Sequence, residues 1–441
     1  MLPRPEITDQ RAERRRRRIG GSVRLSYPRR PLTIVRGWKQ YLYDDTGRQY
    51  IDAYNNVPHV GHAHPRVARA VAEQWATLNT NTRYLHDRLL DYADALVVRF
   101  PAPLSVCFFT ASGSEANELA LRLARAHTGR RDVVVMDAAY HGHTTTLIDA
   151  SPFKHDGPGG AGAPSWVHTS PIPDTYCGRY RADDASAGPR YASEVGVVID
   201  RVAAGDGLSA YLAETCPSVA GQIMLPPGFL AEVYRRTRAA GGLCIADEVQ
   251  TGFGRLGRVF WAFEEHGVVP DIVVLGKPIA NGYPMGAVVT TADIAASFDN
   301  GMEFFSTFGG STAAAAAAMA TLAVTLDENL QANATAVGGE LSRGLVELAG
   351  THEVIGDVRG AGLFVGVELV RDRSTREPAG DEAGWVVDRL RERGVLAGTD
   401  GPHHNVLKLR GPLCLSTGDV ALVLEALDGT LGEQAEHGRP D

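Results

Sequence analysis

Apolar positions recur along this chain in two rhythms that alternate for most of its length. From about residue 66, "VARAVAEQWATL" spaces its apolar side chains three and four apart, as one face of a helix does, whereas "VCFFT" at 106–110 is a short run of β-branched and aromatic residues. The alternation continues with "EANELALRLARAHTG" as a helix and "DVVVMD" as a strand. Further on, "LSAYLAE" and "LCIADE" read as strands, with "GFLAEVYRRTRAAGG" between them as an amphipathic helix stopping on glycines. This order predicts an α/β fold with a mostly parallel sheet covered by helices. Before it, "VRGWKQYLYDDTGRQYIDA" at 35–53 alternates apolar and polar around Asp44-Asp45-Thr46-Gly47, a β-hairpin pattern. Residues 152–190 are rich in Gly, Pro and Ser without periodicity and read as a long functional loop. The six alanines 313–318 lie in a helix-favouring stretch that reaches Leu326 and predict tight helix packing. The tail returns to hairpin and helix patterns. The expected division is an N-terminal segment and hairpin over 1–65, a large unit over 66–326 and a C-terminal unit over 327–441, the first and last sharing a smaller α+β domain.

Composition narrows the class without naming a chemistry. With 441 residues, 44% of them hydrophobic and 22% charged, the chain has the balance of an ordinary globular enzyme, which excludes disordered and fibrous classes. A formal net charge of −8 gives no general attraction to nucleic acid. The local cluster "RAERRRRR" at 11–18 has no interleaved aromatics and reads as a solvated helix face or a subunit contact. No apolar core follows that charge as a secretory signal requires, and no apolar run reaches membrane-spanning length, so neither a membrane nor a nucleic-acid partner is expected. Cys107, Cys177, Cys216, Cys244 and Cys414 are scattered and odd in number, without metal-ligand spacing; they fit reduced thiols in a cytoplasm and no metal site.

Candidate chemistry gathers at strand ends. "DIVVLGKPIANGYPMGAVV" at 271–289 ends a buried strand on Lys277, where desolvation would lower the affinity of the amine for its proton unless the side chain snorkels to the surface. "FFTASGSEANELA" runs from a strand through Ser112-Gly113-Ser114 into a helix, a turn whose free N–H groups and hydroxyls suit a phosphate, although an ordinary helix cap has the same look. "LCIADEVQTGFGR" puts Asp247 and Glu248 at another strand end, where a carboxylate can hold a protonated ring nitrogen or, alternatively, cap the loop or pair with Arg255. "DAAYHGHT" adds Tyr140 and His141, able to lie against a flat ring. Together these groups call for a cofactor with a phosphate, a basic ring nitrogen, a flat face and an aldehyde, which describes pyridoxal 5'-phosphate (PLP). Lys277 would form its Schiff base, Asp247 would keep its pyridine nitrogen protonated, and Gly113 with Ser114 would hold its phosphate.

The same segments, with "STFGGS" at 306–311, resemble the class III aminotransferase family of PLP fold type I, an aspartate-aminotransferase-like fold, from about residue 30 to 430. The resemblance implies Lys277 as Schiff-base lysine, Asp247 as partner of the ring nitrogen, and Tyr140 or His141 as the stacking group. It further implies Val249 on the other ring face, Gln250 at the ring hydroxyl, Glu214 in the site, and Thr307 reaching the phosphate bound by a neighbouring subunit, hence a homodimer with active sites at the subunit interface.

Within that family the stretches "YIDAYNNVPHVGHAHP", "TLNTNTRYLHD", "LSVCFFTASGSEAN", "VVPDIVVLGKP" and "DGPHHNVLKLRGPLC" are most similar to the ethanolamine-phosphate and phosphohydroxylysine phospho-lyases. Aminotransferases of the class carry an arginine, three residues before a Pro-Pro-Leu turn, that clamps an α-carboxylate; here the turn is Gly411-Pro412-Leu413 and the place holds Lys408. The implied activity is elimination of phosphate from a small phosphorylated amine, giving aldehyde, ammonia and phosphate. Transamination of an amine or amino acid is the alternative; decarboxylation, oxygen-using chemistry and a silent binding module are further ones. Asn55, Asn56, Arg83, Tyr84, Lys408 and Arg410 are the candidates for holding the substrate. Two departures touch the substrate wall: Pro217 stands where the family has a glutamine three residues after the glutamate, and "FGGST" replaces "FGGNP".

Overall fold

The computed structural model describes residues 6–437; the extreme ends of the expected 1–65 and 327–441 segments lie outside the described residues. Its centre is a seven-stranded sheet in the spatial order Val106–Thr110, Gly286–Thr290, Ile272–Leu275, Leu243–Asp247, Leu208–Glu214, Asp132–Met136 and Val167–Ser170. Four pairings are parallel, and Gly286–Thr290 runs antiparallel to both its neighbours.

Strands this apolar form because both faces are covered. In Asp132–Met136, Val133 and Val135 enter one hydrophobic cluster with Leu119 and Leu123 of helix Gly113–Thr128, while Val134 and Met136 enter another with Tyr191, Val195, Phe229 and Val233 of helices Ala187–Ala204 and Phe229–Ala239. The two-residue repeat of a strand therefore sends alternate side chains to opposite helical layers. Helix Thr312–Asp327 buries all six alanines 313–318, and side chains without reach let it lie close against helix Pro65–Thr77.

Three strands, Ile34–Trp38, Tyr41–Asp44 and Gln49–Asp52, form around the expected turn, where Asp44 Oδ1 accepts from the Thr46 and Arg48 N–H groups, both at 3.0 Å. Val395–Leu396 adds to this sheet, parallel to Ile51–Asp52. A third sheet holds Ile355–Ala361, Phe364–Asp372, Val406–Leu409 and Gly398–Asp400.

The segment 152–190 is not wholly loop. It contributes the sheet-edge strand Val167–Ser170 and the short helix Pro152–His155, and helix Ala187–Ala204 begins inside it. Four residues reading Val-His-Thr-Ser are too few and too polar to announce a strand; the ladder with Asp132–Met136 and the bond from His168 Nε2 to Asp132 Oδ2 at 2.8 Å hold them there. Among the described residues no helix is long and apolar enough to cross a membrane, and no cluster of His, Cys, Asp and Glu could hold a metal.

Candidate active site

Strand register delivers the central groups. Glu214 pairs with Asp247, and Asp247 with Val274, so the ends of three adjacent parallel strands lie level and Lys277 follows three residues later. Lys277 has φ +29°, a conformation in which a side chain crowds its own backbone and which the surroundings must enforce. Beside it, a Cβ on Gly276 would lie 3.0 Å from Gly113 Cα, a tight contact that glycine avoids where this strand end meets the start of helix Gly113–Thr128. That contact closes one side of a cavity of about 220 Å³.

Ser112, Gly113, Ser114, Tyr140, His141, Glu214, Asp247, Val249, Gln250 and Lys277 line this cavity, and Asn117, Gly142 and His143 join them. A wider groove of about 760 Å³, between the N-terminal segment and helix Gly380–Glu392, contains none of these groups. The Ser112 turn is both things it could have been. Its Oγ caps the helix by accepting from Glu115 N–H at 3.2 Å, and the turn also faces the cavity, where the first N–H groups of the helix have no intrahelical acceptor.

Asp247 is 3% exposed and held from three directions. Its Oδ1 accepts from Val249 N–H at 3.1 Å; its Oδ2 accepts from Asn117 Nδ2 at 2.9 Å and His141 Nδ1 at 2.8 Å. A carboxylate has about four acceptor positions, so one remains, on Oδ1. Glu248 points the other way, accepting from Thr215 and Thr251 hydroxyls and Phe263 N–H, and Arg255 donates to the carbonyls of Leu363 and Gly411, both at 2.9 Å, rather than to either acid.

Electrostatics follow from this crowding. Burial, reinforced by the charge of Asp247, pushes the Glu214 carboxyl up to about 7. Burial and then the like charge of Arg410 push the Lys277 amine down to about 8, against the pull of Asp247 and Glu214. An amine with that proton affinity is neutral in part at physiological pH and can attack a carbonyl or take up a proton.

The substrate candidates separate into groups. Asn56 Nδ2 donates to Gln250 Oε1 at 2.6 Å, and Arg410 Nη1 donates to the same oxygen at 2.9 Å, so both lie against the cavity wall. Lys408 is buried and bonds Asp400 Oδ1 at 2.7 Å. The Asn55 amide is turned to Asp52, at 3.0 Å. Arg83 and Tyr84 are exposed on a loop outside the cavity, with Arg83 paired to Glu303 and its guanidinium 3.9 Å above the Phe305 ring. Thr307 is exposed on a loop that packs Gly309 against Phe109, near the Ser112 turn. At the altered wall Ser218 N–H, next to Pro217, donates to Glu214 Oε2, and Gln222 supplies an amide to Asp400 at 2.9 Å.

Asn117, Gln222 and Asp400 were not expected from the sequence. Asn117 had a signal: it is the one amide among apolar neighbours in "EANELAL", a polar residue on a helix face that must be buried. Gln222 and Asp400 had none, because their partner is 178 residues away along the chain.

What this arrangement can hold is a flat ligand with an anionic group at the helix start, a protonatable nitrogen at the open position of Asp247 and a carbonyl within reach of Lys277. PLP has these parts, and the residues present fit it.

The model of the family "Aminotransferase class-III" matches residues 25–431. "Alanine--glyoxylate aminotransferase 2-like" of Drosophila melanogaster is 48% identical, over 91% of this chain and 83% of that protein. "Ethanolamine-phosphate phospho-lyase homolog 1" of Caenorhabditis elegans is 40% identical over 95% of this chain and 92% of its own. Among solved structures, a phospholyase from Arthrobacter in complex with phosphoethanolamine is 41% identical with a TM-score of 0.90, covering 96% of this chain and 99% of the other. With the lysine, the paired carboxylates and the helix start in one cavity, and the whole length matched, the chain belongs to the class III aminotransferase family and is a PLP-dependent enzyme of fold type I.

Proposed function

We propose that this enzyme is a phospho-lyase that eliminates phosphate from a small phosphorylated amine, phosphoethanolamine-like, to give an aldehyde, ammonia and phosphate. The observation that carries this reading is Lys408 in the carboxylate-clamping place, a buried cation joined through Asp400 to Arg410, whose guanidinium reaches Gln250 in the cavity wall. A lysine offers a point charge to a phosphate but cannot grip an α-carboxylate in a bidentate fork. The likeness to the Arthrobacter phospholyase supports it further.

PLP, when bound, supplies an aldehyde that condenses with amines and a ring that takes up the electron pair released at the carbon bearing the nitrogen. Asp247, fixed by Asn117, His141 and Val249, would keep a proton on the ring nitrogen through its open Oδ1 position. Gly113, Ser112 and Ser114 would hold the phosphate of the cofactor, and Val249 and Tyr140 would lie against its ring, since the His141 ring is committed to Asp247. Gln250, already an acceptor for Asn56 and Arg410, has its amide left to donate. Lys277, whose amine is left partly neutral by burial and Arg410, would take the proton from the carbon next to nitrogen. Lys408 and Arg410 would hold the phosphate on the adjacent carbon through charge-assisted contacts made alike before and during its departure. The overall reaction consumes one water and yields aldehyde, ammonia and phosphate.

Thr307 of a second copy completes the cofactor phosphate site in this reading. Exposed apolar side chains on neighbouring segments, Trp75, Tyr84, Leu85, Met302 and Phe308, give a homodimer a surface to bury. A cytoplasmic setting accords with five free cysteines.

The test follows inorganic phosphate and ammonia from the cofactor-loaded enzyme with phosphoethanolamine and phosphohydroxylysine, with no keto acid present. Equal release of both is expected. Transamination is the second reading, favoured by the 48% identity to an aminotransferase-named relative. No phosphate, with conversion of the bound cofactor to its pyridoxamine form, would establish that one instead.

A further inference from the structure

The two cations on which phosphate recognition rests share one buried carboxylate, Asp400. It ends the strand Gly398–Asp400, antiparallel to Val406–Leu409, in which Lys408 pairs with Gly398. Asp400, Lys408 and Arg410 are each 8% exposed. Asp400 Oδ1 accepts from Lys408 Nζ at 2.7 Å, while Oδ2 accepts from Gln222 Nε2 at 2.9 Å and lies 3.7 Å from Arg410 Nη2. Arg410 also donates to Ser218 Oγ and, at 2.9 Å, to Gln250 Oε1 in the cavity wall. One connected network thus runs from Gln250 through Arg410 and Asp400 to Lys408.

Two buried like charges so close would turn apart without an anion between them, because little solvent screens their repulsion. Asp400 supplies that anion and leaves the cluster one positive charge in excess. The cluster is also short of an acceptor: Arg410 Nε is buried with no hydrogen-bond partner among the described residues. The backbone holds Asp400 in place independently of either cation, since Gly401 N–H donates to Val219 O at 2.8 Å.

We propose that Asp400 is a positioning residue that holds the Lys408 ammonium and the Arg410 guanidinium converged on one point, where they receive the phosphate of the substrate. This rests on the phospho-lyase reading. Asp400 acts through Lys408 and Arg410 and touches no reacting atom.

The experiment uses the full-length, cofactor-loaded enzyme, with phosphoethanolamine as substrate and inorganic phosphate as competitor. Asp400→Asn keeps the shape and removes the charge. It is expected to raise KM and the phosphate inhibition constant together by about tenfold or more, the size of a lost charged hydrogen bond. The kcat stays within about twofold, because only ground-state and transition-state binding common to both is lost. Asp400→Glu recovers part of the loss. Lys408→Met raises the same two constants, and adding Asp400→Asn to it raises them by less than the two changes separately predict, the non-additivity expected of residues acting as a unit. Should Asp400→Asn fail to fold, Gln222→Met, which removes the amide on the far carboxylate oxygen together with its bonds to Ser218, must shift both constants in the same direction.

Unmoved KM and inhibition constants, a collapse of kcat at unchanged KM, or additive effects with Lys408→Met would each overturn the proposal. A wild-type enzyme that neither releases phosphate nor is inhibited by it would overturn the phospho-lyase reading and this proposal with it. A wild type that does both, alongside an unresponsive Asp400→Asn, would sink the role of Asp400 alone.

Discussion

The lowered proton affinity of Lys277 has a measurable consequence for how the apoenzyme captures its cofactor. Only a neutral amine attacks an aldehyde, so capture should be lost as the pH falls below the pKa of Lys277. With that pKa pushed down to about 8 by burial and by Arg410, roughly one molecule in ten carries a neutral amine at pH 7. A lysine at its ordinary value near 10.5 would offer roughly one in 3,000, so the site gains a factor of about 300. The assay mixes apoenzyme with excess PLP between pH 6 and 10 and follows the visible band of the bound cofactor. The rate should climb about tenfold per pH unit up to about 8 and then level. Arg410→Met removes the second cause of the shift and should move that midpoint upward. A rate still climbing through pH 10 in the wild type, or the same midpoint in Arg410→Met, would refute the account of Lys277.

Three further predictions test other parts of the site. Lys277→Ala should abolish turnover while leaving the circular dichroism spectrum and the unfolding transition near wild type; near-normal rates would remove the lysine from its central role. Glu214 is 2% exposed with its folded pKa raised to about 7, above the ordinary 4.5, so the apoenzyme loses stability as the pH rises from 4.5 to 7, by up to about 3 kcal/mol. Glu214→Gln should therefore be more stable than wild type at pH 8 and equal to it at pH 4 in urea unfolding; equal stability at both would contradict the raised pKa. Asn117→Ala leaves Asp247 Oδ2 with one donor instead of two and should weaken cofactor retention about tenfold or more, read by equilibrium dialysis.

Much of the core and the cofactor site could be read along the chain because both depend on local pattern. The strand Leu208–Glu214 has the bounds its mostly apolar run predicts, since a strand buried on both faces has no exposed position at which to blur its ends. Lys277, Asp247 and the Ser112 turn were legible for a related reason: each is a polar group that breaks an apolar strand at its end, where a parallel sheet opens its crevice.

The substrate wall was legible only in part. Lys408 and Arg410 stood out as cations, but nothing near them in sequence pointed to Asp400 and Gln222, or to Arg255 holding the Gly411 carbonyl from 156 residues away. The strand at Val167–Ser170 escaped detection because its stability comes from a ladder with Asp132–Met136 rather than from its own residues.

The sequence by itself determined the layers and the cofactor chemistry, because burial periodicity and strand-end polar groups are written within a few residues of one another. The tertiary structure alone decided which carboxylate steadies which cation, and that Glu248 turns to Thr215, Thr251 and Phe263. Those outcomes depend on distances of about 3 Å between residues far apart in the chain, and on desolvation that exists only once the strands and helices have closed around them.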